Sequence, residues 1–118
     1  MGKLQERYDD LIDEFRESLE LLQDCDDNVN ETKSALVNIL HDIESSVESE
    51  AFGYAERYFQ DLESELREVR DACGDFNEET NAAHQLRKDL EKLEKRLKLS
   101  PKKRQVSRIL KSFPDLAV

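Results

Sequence analysis

Few residues in this chain of 118 have the types and spacing that chemistry needs. Two histidines, two cysteines and 28 Asp and Glu residues are the raw material. Acid–base work needs a carboxyl or imidazole held out of water, so that its pKa moves towards the working pH. The Asp and Glu residues here recur on helix faces that water can reach, which gives no such tuning. Cys25 and Cys73 belong to no CxxC pair and have no histidine at metal-ligand spacing. Both read as packing residues kept as thiols. The run DCDDNVNE, residues 24–31, has the acid density of a calcium loop. Such a loop needs Gly at its sixth place and Glu at its twelfth, where this chain has Val29 and Ala35. A solvated connection between helices is the better reading. With no nucleophile elbow and no phosphate loop, the sequence predicts no catalytic residue, no metal ligand and no cofactor.

His84 lies in AAHQLRKDLEKLE, residues 82–94. This run resembles the phospho-acceptor box of sensor histidine kinases and is faintly similar to histidine-phosphotransfer domains, which are four-helix bundles of about this size. The resemblance implies phosphotransfer through His84. It covers some five residues; Lys88 and Asp89 replace the proline-containing step, and the flanking glycines are missing. An exposed histidine on a charged helix face is the reading adopted, and His41 likewise reads as a packing or surface residue.

The segment SPKKRQVSR, residues 100–108, is the most informative short motif. Ser100 followed by Pro101, Lys102 and Lys103 fits the pattern of proline-directed kinases, which makes Ser100 a candidate phosphosite. Lys102, Lys103 and Arg104 form a minimal basic cluster of the nuclear-localisation kind. With Arg108 and Lys111 they make a basic segment suited to partner contact. Charge is unevenly placed along the chain. Residues 1–85 carry 7 basic and 24 acidic residues, a net of −17, whereas residues 86–118 carry 11 and 4, a net of +7. A total of −10 repels phosphate, so nucleic acid or another anionic surface is a secondary candidate, confined to residues 87–111.

Helices must position all of these groups. Charged residues make up 39% of the chain against a usual quarter, and there are only three Gly and two Pro. Helix one is predicted from Leu4 to Cys25, with Tyr8, Leu11, Ile12, Phe15, Leu19 and Leu22 on one face. Asn28 and Glu31 could form a capping box that starts helix two. Its stripe is Leu36, Leu40, Ile43, Val47, Ala51, Tyr54, Tyr58, Leu62, Leu66, Val69 and Cys73, which repeats at eleven residues. The stripe keeps its phase through Gly53. One continuous helix over about 30–73, some 66 Å long at 1.5 Å per residue, is therefore expected. On this reading residues 49–61 are helical throughout, and Gly53 marks a close approach by another backbone or ring. Gly74 would end helix two, and Asp75 with Glu78 would cap helix three, which runs to about Leu99. Ser100 and Pro101 would restart a short basic helix ending at Pro114.

The expected fold is all-α: extended antiparallel helical hairpins, or a coiled coil, around one long central helix. A compact four-helix bundle broken at Gly53 is the alternative. Residues 1–99 form the helical body and residues 100–118 the basic helix and tail. Two helices stacked together leave apolar surface bare, and such surface is usually an interface. Leu36, Leu40, Ile43, Val47, Phe52, Tyr54, Tyr58, Phe59, Leu62 and Leu66 are the candidate interface. The expected function is non-enzymatic: a helical interaction subunit or scaffold, either a homodimer or part of a hetero-oligomeric complex with protein partners. No membrane span and no signal peptide are read, so the expected setting is intracellular, cytoplasmic or nuclear.

Overall fold

The computed structural model describes residues 2–118, and these form three helices and no strand. Helix α1 spans Lys3–Glu48, α2 spans Phe52–Arg96 and α3 spans Val106–Lys111. The all-α class and the antiparallel helix pairing are what the chain forms, from α1 and α2. The central helix over 30–73 is not. The chain reverses at residues 49–51, inside the stretch expected to be helical throughout. The two places expected to break, residues 24–31 and Gly74 with Asp75, lie within α1 and α2.

The reason is a seven-residue repeat that runs the length of both helices. On α1, Tyr8, Phe15, Leu22, Val29, Leu36 and Ile43 recur at every seventh place and are buried or half-buried. The companion set is Leu11, Ser18, Cys25, Thr32, Ile39 and Ser46. On α2 the two sets are Ala55, Leu62, Val69, Phe76, Ala83, Leu90 and Leu97, with Tyr58, Glu65, Ala72, Glu79, Leu86 and Leu93. These are the a and d positions of a heptad seam. The eleven-residue stripe departs from it at Leu40, Val47, Tyr54 and Leu66, which are 47% to 61% exposed, and Glu65 turns inward beside Leu66. Burial, with help from Glu68 and Asp61, raises the Glu65 carboxyl above its ordinary range.

Magnitudes decide between seam and cap. A capping box stabilises a helix start by about 1 kcal/mol. Burying one Val or Phe contributes about 1.5–3 kcal/mol. Val29 is 7% exposed and Thr32 is 8% exposed, with the Thr32 hydroxyl donating to the Val29 carbonyl at 3.0 Å. Breaking the helix there would forfeit several such contacts. The same holds for Ala72, Phe76 and Ala83 around Gly74. A Cβ built on Gly53 or on Gly74 would meet nothing within 4 Å. Among the described residues no backbone or ring packs on Gly53, so the expected close approach is not made within the chain.

Both long helices end in the same device. The Ala51 amide donates to the Ser46 carbonyl at 2.7 Å and the Glu50 amide to the Val47 carbonyl at 3.1 Å. At the other end, the Leu99 amide donates to the Glu94 carbonyl at 3.1 Å and the Lys98 amide to the Lys95 carbonyl at 3.2 Å. These are Schellman motifs, and their left-handed residues are Glu50 (φ 57°) and Lys98 (φ 52°), not glycines. Ala51 also starts α2, its carbonyl accepting from the Tyr54 and Ala55 amides at 3.1 and 3.2 Å.

Contacts divide the chain into two compact units. One is the chain up to Asp24 together with Asn77–Val118; the other is Cys25–Phe76. The first has the deeper core: Tyr8, Ile12, Phe15, Leu19 and Leu22 from α1, Ala83, Leu90 and Leu93 from α2, and Val106 and Ile109 from α3. The second buries Val29, Thr32, Ile43, Ala55 and Ala72, smaller side chains and fewer of them.

Candidate functional site

In the first unit, one buried polar cluster anchors the C-terminal segment. Tyr8 on α1 is fully buried and its hydroxyl donates to Glu94 Oε2 on α2 at 2.6 Å. Glu94 is itself only 6% exposed. The same oxygen accepts from the Gln105 amide at 3.1 Å and the Val106 amide at 3.4 Å. The Gln105 amide also donates to the Tyr8 hydroxyl at 3.1 Å. Helix α3 has no side-chain cap of its own at Gln105, so a carboxylate eleven residues back in sequence takes the role. Burial, and then the bond to Glu94, push the Tyr8 phenol up to about 12. The Gln105 amide and the charge of Arg108 oppose that rise.

Sequence reading missed Tyr8, Glu94 and Gln105 as a group. It placed Tyr8 in an apolar stripe and did not join Glu94 to it. It also started α3 too early: residues 101–103 form a turn, with the Lys103 and Arg104 amides donating to the Ser100 carbonyl at 2.9 and 3.2 Å. Ser100 is exposed in that turn and is not a helix cap.

The basic residues divide by what they touch. Arg104 Nε donates to the Leu99 carbonyl at 3.1 Å, satisfying the end of α2. Arg108 donates to the Arg104 and Lys102 carbonyls, so it braces the turn. Lys102, Lys103 and Lys111 stand exposed, and Lys102 and Lys111 line one groove with Pro101, Arg104, Ser107 and Arg108. The ion pair of Arg87 with Glu91 at 2.9 Å lies within α2, and Arg87 also donates to the Val118 carbonyl.

In the second unit the expected interface residues separate into two groups. Ile43 is buried, and Leu36, Tyr58 and Leu62 are half-buried in the seam. Leu40, Val47, Phe52, Tyr54, Phe59 and Leu66 lie outside it and are between 47% and 62% exposed. Val37, which the sequence reading passed over, is 62% exposed beside them. At the reversal, the Arg57 guanidinium sits 5.8 Å from the centre of the Tyr54 ring.

His84 and His41 are exposed, and Cys25 and Cys73 are half-buried and form no disulfide. Among the described residues, no group of three or more His, Cys, Asp or Glu could hold a metal ion. No helix among them is long and apolar enough to cross a membrane. Comparison with models of known families, with characterised proteins and with solved structures finds no match to this chain.

Proposed function

We propose that this chain is a non-enzymatic helical interaction subunit or scaffold, which assembles with protein partners through coiled-coil contacts. The observation that carries the reading is the apolar surface of the second unit. Leu40, Val47, Phe52, Phe59 and Leu66 are about half exposed or more, on two helices whose remaining surface is mostly charged. Apolar side chains gathered in this way gain by burial against another protein. The reading covers a homodimer and a subunit of a larger complex alike, in an intracellular setting.

The test has two measurements. Light scattering gives the mass of the pure protein, and size-exclusion chromatography gives its size in extract of the cells that make it. At least one should exceed the 13.8 kDa of a single chain, and should return to it in the double variant Phe59→Ser, Leu66→Ser. A monomer in both settings overturns the reading.

A second reading rests on the exposed lysines at the groove of Lys102, Arg104, Arg108 and Lys111. It assigns the tail to an anionic surface or nucleic acid. Binding to a duplex DNA or RNA probe that weakens steeply with salt, and fails in Lys102→Glu, Lys103→Glu, supports it. Salt-independent or absent binding removes it.

A further inference from the structure

The heptad position after d, lettered e, behaves oppositely in the two units. In the first unit, Ile12 and Leu19 of α1 and Glu94 of α2 hold this position, and all three are buried. Arg87, the preceding e residue of α2, is half-buried. Helix α3 and the residues after it cover that side: α3 is bonded to Glu94, Arg16 reaches the Gln105 side chain at 3.5 Å, and Arg87 holds Val118. The cover is a short basic amphipathic helix, VSRILK. Val106 and Ile109 face inward, while Arg108 and Lys111 are exposed.

In the part of the second unit nearest the reversal, the e positions are Leu40 and Val47 on α1, and Phe52, Phe59 and Leu66 on α2. All five are exposed, from 47% to 62%. The b positions flank them: Glu44, Glu56 and Glu63 are exposed carboxylates, while Val37 is apolar and Arg70, next to Leu66, is an exposed cation, so the margins are acidic on balance. Glu63 pairs with Arg67 of its own helix, at 3.8 Å with both side chains well solvated. Residues 25–76 as a whole carry 4 basic and 14 acidic residues.

We propose that this bare e-position stripe binds a basic amphipathic α-helix of a partner protein. The proposal rests on the assembly reading above and narrows it. Apolar centre and acidic margins match a helix with Leu or Ile at i, i+3 or i+4, and i+7, and Lys or Arg beside them. The match is the one the chain already makes with itself, since α3 covers the same heptad positions in the first unit. A second copy seated stripe against stripe would bring the fourteen carboxylates of residues 25–76 against the same fourteen, so like charge disfavours that pairing.

The test uses the full chain and three synthetic helical peptides read by fluorescence anisotropy. One has a Leu/Ile face flanked by Lys and Arg. The second has the same face flanked by Glu. The third keeps the basic flanks but carries Ser on the face. The first should bind at least tenfold more tightly than either other, and less tightly as salt rises. Phe59→Ser with Leu66→Ser should weaken it tenfold or more, with helix content by circular dichroism unchanged. Glu56→Lys with Glu63→Lys should shift preference towards the acidic peptide. Equal binding of the peptides, no binding, or indifference to both variants overturns the proposal. A dimer of the pure protein abolished by the Ser variant assigns the stripe to a second copy: the basic partner is then wrong and the assembly reading stands. A monomer both pure and in extract, with no peptide bound, overturns both.

Discussion

The Tyr8 hydroxyl and the Glu94 carboxylate meet at 2.6 Å across 86 residues of sequence, and both are buried. This one bond joins α1, α2 and the start of α3, because Glu94 Oε2 also takes the Gln105 and Val106 amides. Removing each partner has a different cost. Tyr8→Phe keeps the ring and leaves Glu94 two backbone donors, so a loss of about 1–2 kcal/mol is expected. Glu94→Ala strands the phenol O–H and the Val106 amide, leaves the Gln105 amide with the Tyr8 hydroxyl alone, and should cost about 3 kcal/mol or more. Urea unfolding measures the totals. Hydrogen exchange at the Gln105 and Val106 amides should rise far more in Glu94→Ala than elsewhere in the chain. Equal losses in the two variants would show that the carboxylate does not hold α3.

The raised phenol makes stability pH-dependent at the alkaline end. The unfolded phenol loses its proton near 10.0, and the folded one near 12. Between these values the folded state binds more protons, so stability is full below pH 10 and falls as the pH climbs towards 12. The loss is on the order of 3 kcal/mol, two pH units at 1.36 kcal/mol each. Tyr8→Phe should flatten this part of the profile. A wild-type profile with the same slope as the variant's contradicts the assignment.

Gly74 lies exposed inside α2, and a methyl group added there would meet nothing within 4 Å. Gly74→Ala should therefore stabilise the protein by about 0.5–1 kcal/mol, the helix-propensity difference. A helix ending at Gly74 would give the opposite sign, since Ala is strained in a left-handed cap. Thermal or urea unfolding of the single variant reads that sign directly.

Glu50 and Lys98 occupy left-handed backbone at φ 57° and 52°. That conformation costs an ordinary L-residue about 1–2 kcal/mol, part of which glycine recovers. Glu50→Gly and Lys98→Gly should each stabilise by up to about 1 kcal/mol, net of the greater freedom glycine has when unfolded. Ala51→Asp should add about 1 kcal/mol by supplying α2 with an N-cap side chain. Destabilisation in Glu50→Gly would place the reversal elsewhere.

The sequence by itself determined the helical class and the amphipathic pairing of long helices. Charge density, scarce Gly and Pro, and apolar steps of three and four leave few other solutions. It grouped Phe52, Phe59 and Leu66 with Leu36, Ile43, Tyr58 and Leu62 as one candidate interface, without separating the residues that the seam takes from those it leaves exposed. Tertiary structure decided where the chain turns and which residues enter the seam. Gly74, and Gly53 on the alternative reading, looked like the natural punctuation, yet the left-handed positions fell to Glu50 and Lys98, whose local strain is small beside the seam that the reversal closes. The polar run from Glu48 to Glu50 was the available signal, and the eleven-residue phase masked it. Glu65 and Leu66 traded places for a related reason. An isolated helix keeps its most apolar face, but a helix paired along its length must hold a seven-residue repeat, and Ala55, Ala72 and Ala83 keep that repeat where bulkier neighbours do not. The pairing of Tyr8 with Glu94 had no signature in the sequence. It exists only because antiparallel packing brings the two ends of the chain together around the otherwise uncapped amides of α3.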